Sequence, residues 1–253
     1  TDYYGLFNIL SDAEIKNLNI NNVDITTTAS LNSIILGLIA GQVQGKSTIS
    51  NIAVQSTNLS LSKTLAQQDN KIGGLFAEIG EESKIENIYN NMEIEDVNAN
   101  SFGNVFGILN GTATRIITQV TYTNFLSINI PIAKKLGDNA KLDNTYQLTS
   151  DNNKLTILNE EKTLDNLLEE LNNTIDTSYE WKSSELLLKI EKKNTSNTTS
   201  NKENTTPTFF NFGRSASITL HESEITDTTV YINDLESDYN YYRGLNYTQS
   251  QSG

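Results

Sequence analysis

One stretch of the sequence decides the fold: Gly73-Gly74-Leu75-Phe76-Ala77 is followed, after a polar gap, by Ile85-Glu86-Asn87-Ile88-Tyr89. It contains two short apolar runs with a polar turn between them. The gap is too short for a helix of about ten residues, which a parallel βαβ crossover requires. The stretch therefore predicts two short strands joined directly by a turn.

The same pattern occurs four times in the first half of the chain. In other copies the second run alternates between apolar and polar positions, as in Leu18 and Ile20 or Ile52 and Val54. A period of two predicts a β-strand. A single unit of this kind cannot bury its apolar face, whereas stacked units bury a continuous core. The repeats therefore predict a parallel β-helix, in which each coil adds one rung to a parallel sheet.

Two columns of aligned residues are expected from the spacing of the repeats. Glycine allows a tight corner with positive φ or a close approach between rungs. Stacked side-chain amides can hydrogen-bond along the axis, because each has a donor and an acceptor. The fourth repeat also permits an alternative register that puts Thr118 in the amide column. The predicted columns are Gly5, Gly37, Gly74 and Gly103, and Asn17, Asn51, Asn87 and Gln119.

These repeats resemble the GLUG repeat of microbial surface and secreted proteins. The resemblance is carried by Gly74-Leu75-Phe76-Ala77 with residues 83–89, by residues 37–54, and by residues 1–25 as a first repeat. It covers about residues 1–130. The resemblance implies a β-helical stalk or adhesin-like module within a larger secreted or surface-anchored protein. It implies no catalytic activity for the repeats themselves.

The second half of the chain has a different pattern. Thr163 is a predicted helix N-cap, and Leu164, Leu167, Leu168 and Leu171 form an apolar stripe that should pack on the solenoid. Apolar runs after residue 208 predict strands that form a further coil, a cap, or a pair with the strand near Leu186–Ile190. The predicted segments are 1–135, GLUG-like repeats; 136–191, a helix-containing continuation; 192–208, a polar flexible loop; and 209–253, C-terminal strands and a cap.

The predicted fold class is therefore all-β, a parallel β-helix or β-solenoid of four to five coils with one short helix and a C-terminal β cap. Leu, Ile, Val and Phe make up 68 of the 253 residues, enough to bury a core. The net charge of −13 argues against free nucleic acid as a partner. The chain has no cysteine, which excludes disulfides, thiolate zinc sites and cysteine nucleophiles. No apolar stretch is long enough to span a bilayer.

No catalytic or metal-binding site is predicted from the motifs of the chain. His221-Glu222 begins like a zinc protease helix, but Ile225 occupies the position of the second histidine. Glu78, Glu81, Glu82 and Glu86 are read as a solvated turn. Asp234, Glu236, Asp238 and Asn240 alternate and could present oxygen ligands to Ca²⁺, although they lack the EF-hand pattern. If the chain is secreted by a eukaryote, the candidate glycosylation sites are Asn194, Asn197 and Asn204.

The sequence thus favours a non-enzymatic secreted or cell-surface protein that acts as a β-helical stalk, an adhesin segment or a filament subunit. No cofactor is expected. The expected partners are the protein itself, as a homopolymer, or neighbouring surface proteins, with glycans as a further candidate. The alternative is a carbohydrate-binding or polysaccharide-cleaving β-helix, for which Glu78 and Glu82 are the carboxylates to test.

Overall fold

The structure, a computed structural model, describes residues 2–27, 34–60, 70–95, 102–123, 130–151, 154–158, 162–193, 208–211, 216–220 and 229–232. It consists mostly of stacked parallel strands that form a β-solenoid of about four turns with one helix. The predicted fold class is therefore confirmed. Residues 194–207 of the predicted flexible loop and most of the C-terminal segment lie outside the described residues.

Each of the first four coils contributes strands to three parallel sheets, and a partial fifth coil contributes to two of them. The first coil contains β1 (Asp2–Tyr4), β2 (Phe7–Ser11), β3 (Ala13–Asn21) and β4 (Val23–Thr27). The second contains β5 (Ile34–Leu36), β6 (Ala40–Gln44) and β7 (Thr48–Ser60). The third contains β8 (Lys71–Gly73), β9 (Phe76–Ile79) and β10 (Lys84–Glu95). The fourth contains β11 (Phe102–Gly103), β12 (Phe106–Leu109) and β13 (Thr112–Thr123). The fifth, which is partial, contains β14 (Ala133–Leu136) and β15 (Lys141–Asp151).

The longest strands form one broad sheet, here called the long sheet. Its solenoid strands run in parallel through β3 and β4, β7, β10, β13 and β15. Apolar side chains from all three sheets point inward and form one continuous core. Phe76 and Phe106, which occupy the same position in adjacent coils, stack with ring centroids 5.8 Å apart. Like residues therefore pack on like residues along the axis.

A column of glycines lies where each coil turns out of its first short strand. The register aligns Gly5, Gly37, Gly73 and Gly103, so the sequence-based assignment of Gly74 was wrong by one residue. A Cβ added to Gly73 would lie 2.0 Å from the carbonyl oxygen of Phe76 and 2.5 Å from the amide nitrogen of Gly107. The column exists because the backbone of the same turn and the backbone of the neighbouring coil leave no room for a Cβ, and a positive φ is not involved.

The remaining elements leave the solenoid path and cover parts of it. They are β16 (Lys154–Ile157), α1 (Leu164–Asn172), β17 (Tyr179–Ser184), β18 (Leu187–Lys192), β19 (Thr208–Asn211), β20 (Ala216–Leu220) and β21 (Thr229–Ile232). β16 pairs antiparallel with the end of β15, and β17 with β18. β20 pairs antiparallel with β4, and β21 with β3. The C-terminal strands therefore cap the edge of the first coil and do not pair with β18.

Candidate functional site: the strapped outer face of the long sheet

In each strand of the long sheet, one residue with a left-handed backbone conformation (positive φ) bends the strand at the same place. Asn17, Asn51, Asn87, Arg115 and Asn144 all have φ between 53° and 58° and align in register. Asparagine tolerates this conformation better than most residues, since its short polar side chain bonds locally. The bend shifts the alternation of inward and outward side chains by one residue. Two residues three positions apart, one on each side of the bend, therefore both point into the core.

Side chains in this column form a partial ladder. The Asn87 Nδ2 donates to Asn51 Oδ1 at 2.8 Å, and the Nε of Arg115 donates to Asn87 Oδ1. Gln119 was predicted to be the fourth member, and this was wrong, because Gln119 lies opposite Asn91. The alternative register was wrong too, since Thr118 lies opposite Asn90. The fourth member is Arg115, an identity that the Ile-x-Asn pattern does not reveal.

Past the bend, the outer face of the long sheet is apolar. Ala53, Tyr89, Ile117 and Tyr146 align across four coils, point away from the solenoid core, and are buried. They pack against α1 and the β17–β18 hairpin in a second core. That core includes Leu167 and Leu171, so the predicted packing of the leucine stripe on the solenoid is confirmed. The helix begins at the predicted cap, where Thr163 accepts a hydrogen bond from the Asn166 amide.

Residues 186–190 of the hairpin, here called the strap, are held to this face by side-chain amides from three coils. Asn19 donates from Nδ2 to the Ile190 carbonyl at 2.7 Å and accepts from the Ile190 amide at 3.0 Å. Gln55 donates to the Leu188 carbonyl, and Gln119 to the Leu186 carbonyl at 3.3 Å. The amides therefore satisfy backbone groups of the strap that would otherwise be buried without partners.

The strap runs along the solenoid axis, from the fourth coil to the first. Its four residue steps span about 13 Å as extended chain, and three rung spacings span about 14 Å. The two lengths match, so Leu186, Leu188 and Ile190 can reach amides on the fourth, second and first coils. One segment thus bonds to the first, second and fourth coils at once.

Two buried aromatic residues reinforce the strap. Trp181, 1% exposed, points its Nε1 at Asn51 Oδ1 at 3.4 Å. The hydroxyl of Tyr89 donates to Gln119 Oε1, which is the amide that holds Leu186. Burial raises the pKa of Tyr89 well above its ordinary value of 10.0, against the opposing effect of a hydrogen bond with the Leu188 backbone. Tyr89 therefore stays protonated across the physiological pH range.

The acidic residues singled out in the sequence do not form a carboxylate site. Glu78 pairs with Lys71 at 2.6 Å, and Glu86 pairs with Lys84 at 2.9 Å and Arg115 at 3.5 Å. Glu81 and Glu82 are exposed in a turn. Within the described ranges, no group of three or more His, Asp or Glu residues could hold a metal ion. Outside those ranges lie His221, Asp234, Glu236, Asp238 and Asn240, and the sequons at Asn194, Asn197 and Asn204.

Two open cavities of about 580 Å³ each flank the strapped face. The first lies between β16, the start of α1 and the hairpin turn, and its lining includes Lys154, Lys162, Asp165 and Glu185. The second, here called the end cavity, lies at the end of the solenoid beside β15. Among the residues that the structure describes, its lining carries no charged side chain.

No protein-family model, no curated protein and no solved structure matches this chain. Among the residues that the structure describes, no helix has the length and hydropathy needed to cross a bilayer. The function is therefore inferred from the sequence pattern and the geometry alone.

Proposed function

We propose that this protein is a non-enzymatic structural module of a secreted or cell-surface protein: a rigid β-solenoid rod that serves as a stalk, an adhesin segment or a filament subunit. We also propose that its repeats are of the GLUG type. The observation that carries the structural role is the strap, which ties several coils together on their outer face.

The physical argument concerns how a solenoid fails. Each coil contacts only its neighbours, so stability is a sum of repeat and interface contributions, and coils can separate one at a time. A segment bonded to three coils adds contacts that must break together. The strap therefore converts stepwise fraying into a more cooperative unit, which suits a rod that transmits force or holds a domain away from a surface.

Single-molecule pulling tests the structural role. Because the chain has no cysteine, handles can be attached through Glu14→Cys and Lys141→Cys, which lie in one column on the first and fifth coils. We expect one dominant rupture in the full chain. With Asn19→Ala and Gln55→Ala added, we expect several smaller ruptures at lower force. Equal rupture forces in the two proteins would contradict the proposed role of the strap.

Surface labelling tests the proposed location. An impermeant biotin reagent applied to intact source cells should label the lysines of this protein, with a known cytoplasmic protein as the negative control. Recovery of the unlabelled protein in the cytoplasmic fraction would contradict a secreted or surface location. The alternative of polysaccharide cleavage has no supporting observation, because Glu78 is already paired with Lys71.

A further inference from the structure

The side chains that point into the solenoid become polar toward the end cavity. At one inward-pointing position of the long sheet, the aligned residues from the first coil to the fifth are Ile20, Val54, Asn90, Thr118 and Gln147. The adjacent inward position stays aliphatic for four coils and ends at Thr145 in the fifth. The end cavity is lined at these two positions by Thr118, Thr145 and Gln147.

Polar side chains also occur at this position inside the solenoid, where they are not exposed to water. Asn90 lies in the third coil and is fully buried, and its Oδ1 has no hydrogen-bond partner among the described residues. Burying an unsatisfied amide oxygen costs roughly 1–3 kcal/mol by protein mutational data. A solenoid under selection for stability alone would keep valine there, as the second coil does. The buried amide therefore points to a role other than stability.

The buried amide positions one wall of the cavity. Asn90 Nδ2 donates to the Asn104 carbonyl at 2.9 Å. The Asn104 side chain donates from Nδ2 to the Ile130 carbonyl at 3.0 Å and accepts from the Tyr122 hydroxyl at 2.7 Å. Three hydrogen bonds thus fix Asn104, and Tyr122 and Asn104 both line the cavity. A wall held in one arrangement before a ligand arrives reduces the entropy lost on binding.

The other side of the cavity offers unused polar groups. Neither Thr145 nor Gln147 has a side-chain hydrogen bond to any part of the described chain. A hydroxyl and an amide can each donate and accept. Pro131, Ile132 and Leu158 add apolar surface between them. The cavity volume of about 580 Å³ falls within the range typical of small-molecule sites.

We propose that the end cavity binds a neutral sugar, such as the terminal residue of a glycan. A sugar presents hydroxyl groups that both donate and accept, next to apolar C–H faces, and the lining offers the matching groups. A charged ligand would lose its hydration without gaining a counter-charge, because no residue in the described part of the lining is charged. This inference does not rest on the proposed structural role, since a rod can carry a sugar site at its tip.

Saturation-transfer NMR on the full chain tests the proposal with the methyl glycosides of glucose, galactose, mannose and N-acetylglucosamine. We expect transfer to at least one of them. Gln147→Leu and Thr145→Val should each weaken binding by about tenfold, the equivalent of about 1.4 kcal/mol for a lost hydrogen bond. Gln147 is exposed, so its replacement leaves the core intact. Methyl glucuronide, which is charged, should bind more weakly than methyl glucoside.

The matched control is Gln44→Leu, which replaces another exposed glutamine on a strand, in the second coil and outside the cavity. It should bind the sugar as the parent chain does. Absence of transfer to all four neutral sugars would overturn the proposal. So would binding that Gln147→Leu leaves unchanged, because the polar positions would then serve only to face water at the end of the solenoid.

Discussion

Replacing Asn19 with alanine tests directly whether the strap contributes to stability. The substitution removes both hydrogen bonds to Ile190, at 2.7 and 3.0 Å, and leaves a backbone donor and acceptor without partners in a residue that is 4% exposed. Each orphaned buried group costs about 1–3 kcal/mol. The expected loss in the free energy of unfolding for the two groups is therefore about 2–6 kcal/mol, and it is smaller the further water enters the site.

The chain contains its own reporter and its own control for this experiment. Trp181 is the single tryptophan and is buried under the strap, so its fluorescence in a urea titration follows strap undocking. Asn21→Ala is the matched control: Asn21 is two residues along the same strand, and its Oδ1 has no partner among the described residues. We expect the control to leave stability unchanged or to raise it, because the substitution removes a buried amide oxygen that has no partner among the described residues. Equal losses for the two variants, with unchanged hydrogen exchange at the Ile190 amide, would refute the reasoning.

Three further predictions concern the packing, the turn geometry and the titration of the site. Gly73→Ala places a Cβ against rigid backbone and should lower the free energy of unfolding by about 3 kcal/mol or more. Gly80→Ala is the control, because its Cβ would meet atoms no nearer than 3.1 Å, and it should change the free energy of unfolding by about 1 kcal/mol at most in urea titrations. Glu185→Asn should stabilise the folded chain by up to about 1 kcal/mol. Glu185 is exposed and has φ of 53° in a two-residue hairpin turn, a position that favours asparagine. A lowered midpoint of urea unfolding would contradict this prediction. Above pH 10 the unfolded chain loses the Tyr89 proton while the folded chain keeps it. The contribution of Tyr89 to stability should therefore fall by up to about 1.4 kcal/mol for each pH unit. Tyr89→Phe should remove this contribution to the slope in unfolding measured between about pH 9 and 11.

The sequence was sufficient to predict the fold because the decisive signals are local. Apolar alternation and turn spacing within each repeat specify strands, and the short gaps exclude helices between them. Register was harder. Gly73 and Gly74 are adjacent, and only the pairing of Gly73 with Gly103 in the next coil shows which of the two lies in the column. In the fourth repeat the left-handed position is filled by Arg115, whose residue type gives no hint of that conformation.

The strap could not be derived from the sequence, since its bonds join residues far apart along the chain. Asn19 and Ile190 are 171 positions apart, and an asparagine on a predicted strand face looks like any solvated residue. One signal was present. Tyr89 and Ile117 fall at outward positions of the long sheet, where a free-standing rod would carry polar residues. Apolar residues there indicate a covered face, and the leucine stripe of α1 was the available element to cover it.

The geometry of the strap also limits how this rod could have grown. A solenoid can gain or lose coils because each coil repeats the same contacts with its neighbours. The strap lacks this freedom: its chain advances about 3.3 Å per residue, whereas coils advance about 4.8 Å, so one more coil needs one or two more strap residues. Those residues must also keep the alternation that points the Leu188 and Ile190 carbonyls at Gln55 and Asn19. Coil number and strap length are therefore coupled. A coil inserted between β7 and β10 without a longer strap should break at least one of the contacts that Asn19, Gln55 and Gln119 make with the strap.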